Sequence, residues 1–459
     1  MNQTPQDRLK RLRNLRKLGV QQGVKHIRLP APKPRPAEPP LDTEPTPLHF
    51  LNYEEDLQFA VPIEAIIPGV VIENGHGQYF CFEARYPLAG LHGQQPLAQL
   101  LHIPMSTVAA MTGDESWLNL SWSEVLFIDL ETTGLEVAAG TVAFLIGLGY
   151  LDRGDFVVRQ VFMRDFNEEV ALLQDLRELG QRFKGVVSFN GKTFDLPLLE
   201  QRFVIARLSP DLLEIPHFDL LHHARRLWRR RLENCRLATL EADILGVKRS
   251  QADIPGYFIP SLYRKYLVDG DARPMAGIFY HNEVDIVSMA SLAAALGQHF
   301  SLLAHPDPAT CFHPVDILSL GLWQLQLGDA ASAEASLKLA LAQPLPADLH
   351  AFAVTELAYL LKRQERHAEA EPLWQELALG PDPFLALEEL AKYYEWQGKD
   401  FERALRCSQY ALSLLAGRPQ TWETQPLQLA WSRRQQRLEE KRNRLEAARL
   451  AKKVGQTSA

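Results

Sequence analysis

The chain has 459 residues, of which 46% are hydrophobic, and it carries a formal net charge of −7. This length exceeds that of one ordinary domain and predicts about two to four domains with apolar cores. The negative charge excludes a polycation, so contacts with phosphate groups must come from local basic patches.

The four cysteines are scattered and form no Cys-x-x-Cys pair. This spacing argues against a zinc knuckle and a disulfide framework, and it is typical of a reducing compartment. No apolar run reaches the roughly 18 residues that cross a bilayer. We therefore expect a cytoplasmic protein without a membrane span.

The N-terminal part of the sequence divides into two segments. Residues 1–47 combine a short basic helix, predicted over 7–20, with a proline-rich linker. This helix is compatible with a nucleic-acid arm, a partner-binding helix or a membrane-surface helix. Residues 48–118 form a β-containing extension, in which an Asn-Gly turn predicts a hairpin over 69–83.

A buried strand is predicted from Val125, and it brings two acids to the end of a sheet. Four apolar residues precede Asp129, and Glu131 points to the same side because side chains alternate along a strand. Two neighbouring carboxylates repel each other unless a cation lies between them. The pattern favours a metal site, and the alternative is a solvated strand end with an ordinary turn at Thr132 and Thr133.

The segments that follow predict a mixed α/β sheet. Two β-rich runs at 141–150 and 156–163 form a hairpin, and a helix, a short strand at 185–189 and a second helix come next. Strands that alternate with helices in this way are typical of an α/β domain.

The second candidate site lies where that short strand passes into the second helix. Asn190, Phe194 and Asp195 fall at this junction, and junctions of this kind are where α/β sheets bind their ligands. The alternative is that Asp195 only stabilises the helix start through the helix dipole.

The third candidate site is in a helix predicted to run to about residue 300. His281 and Asp285 are four residues apart, so they lie on one face of that helix. A histidine beside a carboxylate is suited to act as a base. A solvated His-Asp pair on the helix surface is the alternative.

A basic helix is predicted over 217–245. Its candidates for nucleic-acid binding are Arg225, Arg226, Trp228, Arg229 and Arg230. Guanidinium groups beside an exposed aromatic side chain suit a phosphate backbone and a stacked base. A solvated arginine-rich face is the alternative.

Together the three sites resemble the four-acid 3′-to-5′ exonucleases of the ribonuclease H-like superfamily. Asp129 and Glu131 match the Asp-x-Glu-Thr-Thr-Gly motif of the DnaQ type. Asp195 falls in an Asn-x-x-x-Phe-Asp-x-Pro motif similar to that of family B polymerase exonucleases, and Asp285 matches the third motif. More narrowly, residues 50–305 resemble the YprB-like proteins of this superfamily.

The resemblance implies a fold and a chemistry. The fold is an α/β ribonuclease H-like mixed sheet flanked by helices, over residues 119–305. The implied cofactors are two divalent cations, Mg²⁺ or Mn²⁺, which activate water and stabilise the leaving oxygen. The implied metal ligands are Asp129, Glu131, Asp195 and Asp285, and the implied catalytic residues are His281 and Glu131. Neighbours of the metals or the substrate are Thr132, Thr133, Asn190, Phe194 and Tyr280.

One departure from the family pattern concerns the catalytic water. The Tyr-x-x-x-Asp subclass has tyrosine four residues before the last acid, and here that position is His281, with Tyr280 one place earlier. The histidine subclass instead places its base five residues before. We favour His281 as the residue that orients the water.

From residue 314 the pattern changes to paired helices. Leucines and alanines recur at a period near the roughly 34 residues of tetratricopeptide repeats. This predicts an all-α tetratricopeptide-like helical repeat domain over 314–420, followed by a charged C-terminal helix and tail over 421–459. Such repeats bind protein partners on a concave face, and a purely stabilising extension is the alternative.

The sequence therefore predicts a metal-dependent 3′-to-5′ exonuclease that hydrolyses single-stranded DNA or RNA. One alternative is a nucleic-acid-binding or scaffolding protein with a weakly active nuclease fold, against which the complete set of acids argues. The other is a structure-specific endonuclease, which the motif over 190–197 disfavours. No residue can be assigned to reading the 2′-hydroxyl that distinguishes RNA from DNA.

Overall fold

The computed structural model describes residues 60–134, 140–210, 214–250 and 253–457. These residues belong to one compact unit that spans 59–459. The basic helix and linker predicted in 1–47 lie outside the described residues. Within the described ranges, no helix is long and apolar enough to cross a membrane.

A mixed sheet of seven strands forms the centre of the N-terminal half, in the order β1-β2-β7-β6-β5-β8-β9. Strands β5, β8 and β9 pair in parallel, whereas the other neighbours in this sheet are antiparallel. Strands β3 and β4 form a separate small pair. The strands are β1 (Val70–Asn74), β2 (Gly77–Pro87), β3 (Leu91–His92), β4 (Gln95–Pro96), β5 (Val125–Thr132), β6 (Ala143–Asp152), β7 (Asp155–Phe162), β8 (Gly185–Ser188) and β9 (His217–Asp219). The predicted mixed sheet is confirmed.

The side chains of β5 enter two different cores. Phe127 belongs to one buried hydrophobic cluster, and Ile128 and Leu130 belong to the other. Asp129 and Glu131 follow Phe127 in the alternation of the strand, so the acids continue one face of it. The two apolar clusters fix the register of β5 and thereby the direction of the two carboxylates.

Fifteen α-helices accompany the strands in the described part of the chain. They are α1 (Met105–Thr112), α2 (Glu169–Gly180), α3 (Asp195–Ile205), α4 (Leu220–Trp228), α5 (Leu237–Leu240), α6 (Ile259–Asp269), α7 (Met275–Phe300), α8 (Pro308–Cys311), α9 (Pro314–Leu327), α10 (Ala330–Leu341), α11 (Ala347–Arg363), α12 (His367–Ala378), α13 (Phe384–Lys392), α14 (Phe401–Ala416) and α15 (Thr424–Thr457). A π-helical turn, Glu241–Leu245, extends α5.

Helix α7 packs across β5, β6 and β7, and two glycines of β6 allow its close approach. A Cβ atom at Gly147 would lie 2.2 Å from Oδ1 of Asn282, and a Cβ atom at Gly149 would lie 2.6 Å from Cγ2 of Ile286. Any larger residue at these positions would push the helix away from the sheet. The glycines therefore hold α7 against the strands beside the acids.

The C-terminal region is helical, as predicted. The pairs α9 and α10, α11 and α12, and α13 and α14 pack together. Their connecting turns fall at 328–329, 364–366 and 398–400. The assignment of these helices to the tetratricopeptide class stays a prediction.

The helix predicted over 217–245 is wrong at its beginning and in its middle, where residues 229–236 form turns and irregular structure. His217–Asp219 forms β9, and its residues pair in parallel with Val186–Ser188 of β8. A segment of three residues is too short to show a period, and the edge of β8 supplies the backbone hydrogen bonds that make it a strand. Helix α4 begins only after this strand, and Asp219 caps it by accepting a hydrogen bond from the backbone N–H of Leu221.

Candidate active site

Strand β5 presents Asp129 to helix α7. The Nδ2 amide of Asn282 donates a hydrogen bond of 2.9 Å to Oδ2 of Asp129. Gln160 on β7 donates through Nε2 to Oδ1 of Asn282 at 2.9 Å and to the carbonyl oxygen of Phe279 at 2.8 Å. Asn282 and Gln160 are fully buried, so water does not compete for these bonds. The buried amides therefore fix the orientation of the Asp129 carboxylate.

The loop between β8 and α3 leads into Asp195, the first residue of α3. Asp219 accepts hydrogen bonds from the backbone N–H groups of Asn190 at 2.9 Å and Lys192 at 3.1 Å. Asn190 has a left-handed backbone with φ of 68°, a conformation that asparagine adopts more readily than most residues. Asp195 is buried at the start of α3. Burial and the charge of Asp219 raise the pKa of Asp195 to about 7.

Asp285 on α7 is paired with an arginine. Nη2 of Arg249 forms an ion pair with Oδ1 of Asp285. The same guanidinium binds Glu241 through Nε at 2.6 Å and through Nη2 at 2.7 Å. Although burial opposes it, the hydrogen bonds to Glu241 and the charge of Asp285 raise the pKa of Arg249. Arg249 is therefore a fixed positive charge beside Asp285.

His281 faces the acids, whereas Tyr280 does not contact them. Nδ1 of His281 lies 2.7 Å from Oδ1 of Asp253, and Nε2 lies 3.7 Å from Oδ2 of Asp285. The hydroxyl of Tyr280 accepts a hydrogen bond of 2.9 Å from the backbone N–H of Ser250. The contacts favour His281 over Tyr280 as the candidate base, and that role stays a prediction.

The predicted neighbours at the end of β5 use their side chains to shape the local backbone. Oγ1 of Thr132 donates a hydrogen bond of 2.5 Å to the carbonyl oxygen of Gly134, and Oγ1 of Thr133 accepts one of 3.0 Å from the N–H of Val142. Phe194 is half-buried and packs on the second hydrophobic cluster. Contacts of these three residues with a metal or a substrate stay a prediction.

The four predicted acids share one electrostatic neighbourhood. Burial raises the pKa of Asp129 well above its ordinary value, and the charges of Asp285 and Asp195 raise it further. Burial also dominates for Glu131, whose pKa is raised in addition by the charges of Asp129, Asp285 and Asp195. Burial raises the pKa of Asp285, although nearby basic groups oppose this effect. Such a group of carboxylates favours the entry of protons or cations.

The chemistry of these side chains fits a hard divalent cation, since Mg²⁺ and Mn²⁺ prefer carboxylate oxygens. Among the residues that the structure describes, however, no group of three or more His, Cys, Asp or Glu side chains could hold a metal ion as arranged. Asp129 binds Asn282 instead, and Asp285 binds Arg249. The donor set fits the metal, but the side chains do not form a preformed centre.

The site also contains residues that the sequence motifs do not single out. These are Gln160, Asp219, Glu241, Arg249 and Asn282. Two of them have a usable signal, because Asn282 lies one helical turn before the last acid and Asp219 lies within 217–221, a segment that resembles the YprB-like proteins. The others come from distant parts of the chain, so no local pattern reveals their contacts.

The predicted stacking role of Trp228 is wrong. Trp228 is completely buried, and its ring packs edge-on against His299 with 5.2 Å between the ring centroids. Helix α4 turns Leu227 and Trp228 into the core, which leaves Arg225, Arg226 and Arg229 on the exposed side. Arg230 is half-buried just after the helix.

Comparison with known proteins identifies the family. A family model described as the RNase_H superfamily matches residues 126–297. The chain is 31% identical over 337 residues to the Bacillus subtilis (strain 168) protein described as "Uncharacterized protein YprB", covering 72% of this chain and 79% of the relative. The chain belongs to the YprB family, and its residues 126–297 form a domain of the RNase H superfamily. In this YprB-family chain the matched segment begins in β5 and ends in α7, so it contains all four acids.

Membership in this superfamily gives the general class of activity. The RNase H-like fold is that of nucleases and related hydrolases, and it implies binding of nucleic acid. Members of the superfamily usually use divalent metal ions. The YprB-family chain therefore has a nuclease fold with a carboxylate-rich site in the matched region.

Proposed function

We propose that this protein is a divalent-metal-dependent 3′-to-5′ exonuclease that acts on single-stranded nucleic acid. The observation that carries the proposal is the set of four buried acids, whose pKa values are all raised by burial. The charges of the other acids of the set raise the pKa of Asp129 and Glu131 further. Buried like charges destabilise a fold, so stability alone gives no reason to collect them. Binding of cations for phosphodiester hydrolysis gives such a reason.

Asp129, Glu131, Asp195 and Asp285 are the residues that would hold two Mg²⁺ or Mn²⁺ ions. When bound, such ions polarise the scissile phosphate and stabilise the leaving oxygen. The chain's own buried amides would keep the first carboxylate oriented, because Asn282 donates to Asp129.

His281 would accept the proton of the attacking water. Nδ1 of His281 lies 2.7 Å from Oδ1 of Asp253 and 3.1 Å from Nη1 of Arg249. The proposed role requires the tautomer in which Nδ1 carries the proton and donates it to Asp253, because this tautomer leaves Nε2 free to accept another proton. Loss of a general base typically lowers the rate by about 10²- to 10⁴-fold. We therefore expect His281→Gln to reduce cleavage by about that factor, while Tyr280→Phe and the exposed control His76→Gln retain most of the activity.

The direct test is degradation of 5′-labelled single-stranded DNA and RNA with Mg²⁺ or Mn²⁺ and, separately, with a chelator. A 3′-to-5′ exonuclease gives a ladder that shortens from the 3′ end, and phosphorothioate linkages at that end stop it. We expect Asp129→Asn to abolish the ladder, whereas Asp243→Asn, which changes an exposed acid, keeps it.

Three other results of the degradation assay would lead to different conclusions. Internal fragments that form despite the blocked 3′ end would identify an endonuclease. Equal residual cleavage by the parent protein and Asp129→Asn would show that a contaminant cleaves the substrate. Binding without cleavage under all metal conditions would overturn the proposal.

A nucleic-acid-binding or scaffolding protein with little turnover is the second candidate. The observation that favours it is the ion pair between Arg249 and Asp285, which places a protein cation beside one of the four acids. A scaffold of this kind would bind the labelled strand equally well in Mg²⁺ and in chelator. The exonuclease would cleave it only with metal.

We also propose that the helical repeats of 314–420 bind a protein partner and that 119–305 is the catalytic domain. The packing of successive helices in pairs supports this division, because paired helices are the unit of binding solenoids. Reciprocal co-purification of a protein partner tests the assignment. The experiment compares the full chain with a variant in which the exposed Trp396 is replaced by serine.

A further inference from the structure

An arginine-lined cleft lies between α4 and α9, and we call it the arginine cleft. It has a volume of about 260 Å³ and is lined by Arg225, Arg226, Arg229 and Arg230 from the first side and by Ser319 and Trp323 from the second, among others. None of its lining residues is one of the four acids or one of their hydrogen-bond partners. The cleft is therefore a second feature, distinct from the acid site.

The described residues place no carboxylate in ion-pair contact with the cations of the arginine cleft, although the charge of Glu356 acts on Arg230 from a greater distance. In the described ranges none of its four arginines forms an ion pair, whereas the adjacent Arg231 pairs with Asp316 at 2.9 Å. Burial lowers the pKa of Arg226, and burial together with the charge of Arg229 lowers that of Arg230. Clustered cations repel one another, so a bound anion would relieve this repulsion.

Two of the arginines are held in place by aromatic rings. The guanidinium of Arg226 lies 5.3 Å from the ring centroid of Trp323, and that of Arg230 lies 5.9 Å from the ring centroid of Phe352. A guanidinium on an aromatic face keeps its N–H groups free to donate at its edge. This arrangement preorganises planar donors that match the oxygens of a phosphate.

The floor of the cleft contains two polar groups without partners. Ser319 and Trp323 are both 1% exposed. Oγ of Ser319 and Nε1 of Trp323 have no hydrogen-bond partner in the structure. An unsatisfied buried donor is costly and therefore rare. Both donors belong to residues that line the cleft, so an oxygen-rich anion bound there would satisfy them.

We propose that the arginine cleft binds phosphate groups of a nucleic-acid strand. Helix α4, which carries the first arginines, begins at Asp219, the residue that holds the loop of Asp195. With a rise of about 1.5 Å per residue, Arg226 and Arg229 lie roughly 10 to 15 Å along the helix from that point. A strand reaching the acids would therefore carry its next few phosphates within range of the cleft. The choice of occupant rests on the proposed function, whereas phosphate binding itself does not.

The test measures binding without cleavage. A fluorescent single-stranded oligonucleotide is titrated with the full chain in chelator, in an Asp129→Asn background, at several salt concentrations. The test variant is Arg225→Gln with Arg229→Gln, and the matched control is Arg406→Gln with Arg433→Gln, two exposed arginines outside the cleft.

We expect the cleft variant to bind the strand at least tenfold more weakly. Each lost phosphate contact should also reduce the slope of log affinity against log salt by about one. The control should change affinity less than twofold. Equal weakening in both double variants, or no weakening in the cleft variant, would overturn the proposal.

Ser319→Ala provides a second variant that does not alter charge. Removal of a hydroxyl that binds an anionic oxygen should weaken binding by about tenfold. Because the hydroxyl has no partner in the free protein, the unfolding temperature should not fall. Unchanged affinity would argue that no oxygen of the strand reaches the floor of the cleft.

Inorganic phosphate and pyrophosphate distinguish the two sources of phosphate. If they raise the unfolding temperature only when the cleft arginines are intact, while strand binding is independent of those arginines, the occupant is a free anion and the nucleic-acid assignment fails. If the parent protein binds no strand at all, both the nucleic-acid assignment of the cleft and the proposed function fail. If the cleft variant binds the strand normally and the protein with Asp129 intact still cleaves in a separate assay with metal, the cleft assignment fails and the proposed function stands.

Discussion

Replacing Asp195 by asparagine should stabilise the metal-free protein. Burial and the charge of Asp219 raise the pKa of Asp195 to about 7 from an ordinary value of 3.8. One pKa unit corresponds to about 1.4 kcal/mol, so this difference amounts to at most about 4 kcal/mol of destabilisation when the carboxylate is ionised. Asparagine has nearly the same shape and no charge, so it removes this cost.

The sign of the pH dependence follows from the raised pKa. The protonated carboxyl is favoured by the fold, so its contribution is complete below about pH 4 and is lost as the pH rises through about 7. The free energy of unfolding of Asp195→Asn should therefore match that of the parent near pH 4. It should exceed the parent value by up to about 4 kcal/mol above pH 7.

Urea unfolding in chelator, followed by tryptophan fluorescence at pH 4 and pH 7.5, measures this difference. Asp243→Asn is the control, since the carboxyl of Asp243 is exposed in the folded protein. With Mg²⁺ or Mn²⁺ the order should reverse, because a ligand that binds only the native state stabilises the parent and not the variant. A variant that is less stable than the parent at pH 7.5 in chelator would refute the view that the buried acids repel one another.

Two further substitutions probe the neighbours of the other acids. In Gly147→Ala the new Cβ would lie 2.2 Å from Oδ1 of Asn282, so the bond from Asn282 to Asp129 should break at a cost of about 1–3 kcal/mol in the free energy of unfolding. Arg249→Met leaves Asp285 without its cation and should lower stability in chelator by about 3–5 kcal/mol. The increase in unfolding temperature caused by Mn²⁺ should be larger in Arg249→Met than in the parent.

A control and the results that would contradict the reasoning can be stated for these two substitutions. Gly75→Ala adds a Cβ atom that meets nothing within 4 Å, and it should unfold like the parent. A Gly147→Ala variant with unchanged stability and unchanged metal response would show that Asn282 does not orient its acid. A smaller Mn²⁺ effect in Arg249→Met would show that the arginine supports the metal site and does not compete for it.

Much of the fold could be predicted because the signals were local. The apolar residues before Asp129, the hairpin turn at 151–155 and the acid at the start of α3 are each readable within about ten residues. Strand alternation then fixed which side of β5 carries Asp129 and Glu131. These features depend on residues that are close in sequence, and their positions in the structure agree with the predicted ones.

The errors came from contacts between distant segments. Trp228 reads as part of a solvated arginine cluster, but α9 packs against α4 and His299 of α7 covers the indole ring. Arg249 binds Glu241 eight residues earlier and Asp285 thirty-six residues later. No periodicity marks such pairs, because the free energy that selects them appears only when the chain has closed around the site.

Three of the buried acids are compensated in three different ways, and this difference indicates which contact a bound metal must displace. Asp129 receives an amide hydrogen bond from Asn282, Asp195 has a pKa raised to about 7 that favours its protonated form, and Asp285 is paired with Arg249. A divalent cation can replace the proton and can coexist with the amide, but it repels the guanidinium. Since Arg249 also holds Glu241 through two bonds, it can release Asp285 and remain anchored. The ion pair at Asp285 is therefore the contact whose loss should set the affinity for metal.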